Sequence, residues 1–200
     1  MKEQEIWHVL KADVLRSWNM LEDKSPYQKI ICCALSPGIH AVVVYRWGQW
    51  TMSTTGVIRP PLRLVALILD CMIRILWGIE LHPTTRIGEG FYIGHFGGII
   101  ISPQAVIGKN FTCSQGVSIG VSGQGDKYGA PTIGDFVYVA PGAKLFGKIR
   151  IGNNVKIGAN AVVHKNIQDN AVAVLDPGFR IISSEGNIKG AEHPADETVL

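Results

Sequence analysis

The chain has 200 residues, 46% hydrophobic and 18% charged, with a formal net charge of +3. That length permits one compact unit, or a repeat domain with a smaller companion. Lys and Arg are scattered rather than clustered, which argues against a nucleic-acid partner. Four cysteines, two of them adjacent (Cys32, Cys33), form no disulfide framework and suit a reducing cytoplasm.

Residues 1–80 read as a small α-helical region. The opening MKEQEIWHVLKADVL carries mixed charge and no apolar core, so no signal peptide is expected. Ile6, Val9, Leu10, Val14 and Trp18 recur at helical steps and give a first helix one apolar stripe. Pro26 suits the start of the next helix, where a missing N–H is harmless. From Ile30 to Tyr45 there is no Asp, Glu, Lys or Arg, but Pro37-Gly38 interrupts the run. Pro60-Pro61 opens a third segment from Leu62 to Ile79, with apolar residues at Leu62, Ala66, Leu69, Ile73 and Leu76. Arg63, Asp70 and Arg74 break it, so packing on other helices and on neighbouring subunits is expected rather than a membrane span. Peripheral membrane contact through Trp47, Trp50 and Trp77 is the alternative.

From Ile87 to Val163 an apolar residue returns every six positions. Ile87, Ile93 and Ile99 form one series; Ile101, Ile107, Cys113 and Ile119 a second, after a slip of two. Ile133, Val139, Leu145, Ile151, Ile157 and Val163 form the third. A glycine often follows, as in Ile87-Gly88 and Ile133-Gly134. This hexapeptide repeat predicts a parallel β-helix of about four coils, each coil burying its neighbours' apolar edge. The repeat stops for VSGQGDKYGAP (121–131), which must leave the coil as an exposed loop, on the face where solenoids often bind. Past Val163 the pattern decays: 175–183 reads as a closing edge and 183–200 as a flexible tail.

Of six histidines, His8 and His40 fall in helical segments as surface or cap residues, His164 ends the repeat and His193 is in the tail. His82, His95 and His164 lack the close spacing of a zinc-binding pair, so no metal is expected. His95 stands apart in IGHFGG, among glycines that admit a ligand close to the backbone.

Three stretches carry a closer likeness. GIHAVVVYRWGQW (38–50), ELHPTTRIGEGFYIGHFGGIIIS (80–102) and VYVAPGAKLFGKIRIGNNVKIGANAVV (137–163) resemble the serine O-acetyltransferases of the left-handed β-helix family, short N-terminal variety. The likeness runs from about Leu10 to Ile182. It implies a mainly β fold, a left-handed parallel β-helix over 81–182 behind a helical region over 1–80. It also implies a homotrimer, able to pair into a dimer of trimers, with acetyl-CoA as co-substrate.

Carried over by position, His95 is the family's general base and Glu80 its carboxylate partner. A hydroxyl is a poor nucleophile until a base takes its proton, and a carboxylate steadies the imidazolium that results. The CoA arm would lie in a groove between subunits, at or beside Ala143, Lys156 and Ala159, with Lys165 and Arg180 toward its phosphates. Pro141 stands where the family has Ala. Asp23 matches a substrate-binding carboxylate of the helical domain. Gly94 replaces the family's Asp before the histidine, and Gly129-Ala130 replace Arg-His in the loop. A zwitterionic amino acid loses charged partners by these changes, so a sugar hydroxyl of surface-polysaccharide synthesis rivals L-serine as acceptor. A non-catalytic partner-binding scaffold is the reading of another class. The tail HPADETVL, acidic and ending in Val199-Leu200, resembles the tail by which some family members engage cysteine synthase.

Overall fold

The computed structural model describes residues 3–175. Four helices come first: α1 (Glu3–Asn19), α2 (Pro26–Ala34), α3 (Pro37–Ser53) and α4 (Arg59–Trp77). Pro37 does not interrupt a helix but starts one, behind Ser36, whose side chain caps Ile39 N–H. Ser25 and Gln28 form a capping box at α2, with Pro26 in its first turn. Helix α4 ends at Gly78, left-handed at φ 61°.

A three-faced parallel β-solenoid follows. Face one stacks β1 (Ile79–Leu81), β4 (Ile99–Ile101), β7 (Ser118–Gly120), β10 (Lys144–Phe146) and β13 (Val162–Val163). Face two stacks β2 (Arg86–Ile87), β5 (Val106–Ile107), β8 (Thr132–Ile133) and β11 (Arg150–Ile151). Face three stacks β3 (Tyr92–Ile93), β6 (Thr112–Cys113), β9 (Tyr138–Val139), β12 (Lys156–Ile157) and β14 (Val172–Ala173). Five strands on a face make five coils, one more than the periodicity predicts. The first begins at Ile79, inside the stretch read as helical, and the last continues to Ala173, where the apolar signal has faded.

The hexad residues stack as parallel ladders, Ile87 on Ile107 on Ile133 on Ile151, for example. Ile119, Leu145 and Ile157 are fully buried in one continuous core. Cys113 takes an aliphatic place there, and burial pushes its thiol up to about 12. The glycine after the hexad residue is a packing requirement: a Cβ at Gly88 would lie 2.7 Å from the carbonyl carbon of Gly108 in the next coil. Two positions later the chain turns through left-handed residues, Gly90, Asn110 and Asn154, and at one coil Phe136 (φ 57°). Asn tolerates that conformation; an exposed Phe there is strained.

The helical region docks on the first coil through a few long polar contacts. Arg46 of α3 is fully buried and donates Nε to Asp13 Oδ2 of α1 at 2.8 Å, with its other nitrogens on the carbonyls of Ile87 and Gly88. Asp13 Oδ1 in turn accepts the N–H of Phe91 at 2.7 Å. Burial pushes the Asp13 carboxyl above the usual range, and Arg46 pulls it back. Tyr45 donates to Thr85 O at 2.7 Å, and burial raises its phenol to about 12. Arg16 reaches further, to the carbonyls of Gly90 and Phe111 and to Thr112 Oγ1.

Candidate active site

The first coil carries both residues singled out for catalysis. Glu80 is the central residue of β1, exposed on face one and in register with Ile100. His95 is exposed on the corner that follows β3 and leads into β4. Because β4 lies on β1, this corner returns the chain to the edge of the strand that holds Glu80. The corner is two residues longer than the hexad requires, and Gly97 (φ 104°) and Gly98 (φ 64°) absorb the excess. Among the described residues, positions 95–98 donate no backbone hydrogen bond. No hydrogen bond joins the His95 ring to the Glu80 carboxylate.

Helix α3 positions the corner from behind. A Cβ at Gly38 would meet the Ile93 carbonyl oxygen at 2.7 Å, so only glycine lets α3 sit against the residue two before His95. Gly48 plays the same part at Pro83, where a Cβ would meet Cγ at 2.7 Å. Two glycines of the 38–50 stretch are thereby explained by close packing. Gly94 differs: a Cβ there meets nothing closer than Ser114 Oγ at 3.4 Å. A side chain fits at 94, and its absence leaves room beside His95.

The other predicted site residues do not all converge in one chain. Ala159 is exposed on the third coil corner below His95, in the same corner column as Gly94. Lys156 lies on the outer side of face three, its ammonium 5.8 Å from the Tyr138 ring centroid. Ala143 is fully buried, and its side chain belongs to the core rather than to a groove. It can border a ligand only through its backbone, where its carbonyl already accepts Ser118 N–H. Lys165 follows β13 at the corner between faces one and two, away from Lys156. Asp23 is on the exposed turn between α1 and α2, with no hydrogen bond or ion pair to Glu80 or His95. Arg180, His193 and the closing-edge and tail expectations lie outside the described residues.

The loop 121–131 leaves the corner between faces one and two, opposite His95's corner. Ser122 and Gly129 close its base with two backbone hydrogen bonds of 3.0 and 3.1 Å. Gly129 is hemmed by Lys148, whose Cβ would lie 3.1 Å from an added Cβ, and Ala130 packs on the core. Lys148 spans out to the Asp126 carbonyl at 3.1 Å.

Sequence reasoning gave no role to Lys144, which is half-buried on face one and donates to Gly116 O and Ser118 Oγ. Nor did it find the Asp13–Arg46 pair, since residues far apart in sequence and unlike in pattern carry no periodic signal. Of the three tryptophans read as a membrane edge, two make ring contacts within the helical region, and Trp47 is 37% exposed. Trp50 packs on Trp7 at 6.2 Å and Trp77 on His40 at 5.0 Å. A cavity of about 330 Å³ lies between α3, α4 and the start of the solenoid, lined by Arg63, Asp70, Arg74 and His82 among apolar groups. Burial pushes the Asp70 carboxyl up, and the Arg74 guanidinium 3.1 Å away opposes this.

A model of the bacterial transferase hexapeptide (six repeats) matches residues 130–165. The serine acetyltransferase of Helicobacter pylori strain 26695 is 36% identical over 153 residues, covering 76% of this chain and 86% of that protein. The chain belongs to the serine acetyltransferase family. Relatives in the family include the serine acetyltransferases of Synechococcus elongatus (33% over 157 residues, 78% of this chain) and Mycobacterium tuberculosis (39% over 149 residues, 74%). The chain spans 62% of the length of each of these two. Serine acetyltransferase isoform 3 of Entamoeba histolytica, solved with cysteine, has the same fold: TM-score 0.71, 32% identity, 90% of this chain and 62% of that one. A serine acetyltransferase solved with CoA gives a TM-score of 0.70 at 26% identity, over 87% of this chain and 68% of that one.

Proposed function

We propose that this family member is an acetyl-CoA-dependent O-acetyltransferase, with His95 as general base and Glu80 as its carboxylate. The observation that supports this most directly is the first coil, which carries a carboxylate and an imidazole on adjoining elements beside four N–H groups that donate no hydrogen bond. His95 takes the acceptor hydroxyl's proton as the oxygen attacks the acetyl thioester, and Glu80 steadies the imidazolium. The tetrahedral oxyanion needs donors, and the N–H groups of residues 95–98 are available for it. Collapse expels the CoA thiolate, which recovers the proton from His95.

The active unit is a homotrimer on this reading. Loop 121–131 and the His95 corner are on opposite edges of face one, so they share a site only when a neighbouring copy supplies one of them. Lys156 and Lys165 are apart for the same reason, and each would meet the CoA of a different intersubunit groove.

L-Serine is the acceptor its relatives' names indicate. Gly94, Gly129 and Ala130 nevertheless bring no charge to the site, and a zwitterion bound without ionic partners loses several kcal/mol of solvation. A neutral polyol or sugar hydroxyl is therefore the acceptor expected to turn over best. The decisive experiment follows thiol release from acetyl-CoA with L-serine, a polyol and a sugar nucleotide. Release with none of them favours a binding scaffold. A submillimolar KM for L-serine restores plain serine acetylation.

A further inference from the structure

Helix α4 is inverted in hydrophobicity relative to a soluble helix. Its inner side buries only Ala66 and Ile73 fully. Leu64, Leu67, Ile68, Met72, Ile75 and Leu76 all face outward, with Ile75 76% exposed. At ~3.6 residues per turn these fall on one outer half of the helix, with no charged residue among them. The patch runs on into the preceding turn, where Val57 is 95% and Ile58 60% exposed. A soluble surface seldom leaves so continuous an apolar face bare.

The charges on α4 are arranged in one way. Arg63 and Arg74 fall along a single border of the apolar face, whereas Arg59 falls on the buried side of the helix near Ala66. The helix has one acid, Asp70, which lines the cavity together with Arg63 and Arg74 and pairs with Arg74 at 3.1 Å. Arg59 Nε is buried and has no hydrogen-bond partner among the described residues. An apolar half-cylinder edged by arginines matches a bilayer surface, where side chains sink into the acyl boundary and guanidinium groups meet phosphates. A second copy fits less well. Two such helices packed face to face and antiparallel about a twofold would put both arginine borders on the same side of the seam. Among the described residues no single helix is long and apolar enough to cross a membrane, so α4 would lie in the plane of the surface.

We propose that the outer face of α4 docks this protein on an anionic lipid bilayer. The test is cosedimentation of the full chain with phosphatidylcholine vesicles, with and without phosphatidylglycerol. Binding is expected to the anionic vesicles and to weaken as salt rises. Ile68→Glu and Ile75→Glu should each weaken it by roughly tenfold or more, with cooperative unfolding retained. Ile75→Trp keeps the face apolar, and its fluorescence should be quenched by lipids brominated in the acyl chain. Failure to bind either vesicle, equal binding to neutral vesicles, or an unquenched Trp overturns the proposal. So does a fall in oligomer mass in the Glu variants without lipid, which assigns the face to a second copy.

Discussion

Each middle coil of the solenoid is buried from above and below by others like it, whereas the helical region leans mainly on the first coil, with Arg16 reaching the second. Ile119 is held by Ile101 on one side and Leu145 on the other, in an arrangement repeated at every hexad. The helices have no such redundancy. Asp13, Tyr45 and Arg46 hold the first coil, and Arg16 ties it to the second, through contacts that no repeat duplicates. Periodic apolar stacking gives a stiff rod whose parts substitute for one another, while a buried ion pair gives a joint that fails when one member goes. The proposed catalytic corner lies at that joint, with α3 pressed against Ile93 through Gly38.

The sharpest way to break this comparison is chemical. His95→Ala should lower turnover by roughly 10²–10⁴ while CoA affinity stays near normal, since the base acts on the acceptor proton. Glu80→Gln should cost less, because it orients and stabilises without taking the proton. Steady-state kinetics with titrated CoA measures both, and near-normal turnover in the His95 variant ends the mechanism.

Next in size is the joint itself. Asp13→Ala leaves the Arg46 guanidinium buried and unpaired, at a cost of about 3–5 kcal/mol. Hydrogen exchange should show α1 and α3 losing protection while the middle coils keep theirs. Equal loss in both regions would mean that the two unfold as one. Ile119→Ala probes the other side at about 2–5 kcal/mol, and here the middle coils should lose protection first.

The smallest effect belongs to a corner. Phe136 is left-handed where the equivalent corners use Asn or Gly. Phe136→Gly removes about 1–2 kcal/mol of that strain and returns part of it as unfolded-chain entropy, for a net gain below about 1 kcal/mol. A slightly raised melting temperature is expected; a lowered one would assign Phe136 a packing role.

The solenoid was legible because its stabilising interaction is local in pattern: one inward side chain per six residues, with a glycine where the next coil's backbone leaves no room. The sequence by itself therefore determined the faces, the looped-out 121–131 segment, and the glycine-rich corner at His95. It undercounted the coils because β1 contains Glu80 and follows α4 without a break in hydrophobicity, and because β14 pairs with β12 by backbone while its own Val172 is exposed and Ala173 only half-buried. Tertiary structure alone decided what lies far apart in the chain: Asp13 against Arg46 and Phe91, Gly38 against Ile93, and Ala143 in the core rather than a groove. It also decided that the apolar run of α4 faces outward. Periodicity states which residues share a side of a helix; only the packing of α4 on α3 and β1 says which side is left uncovered.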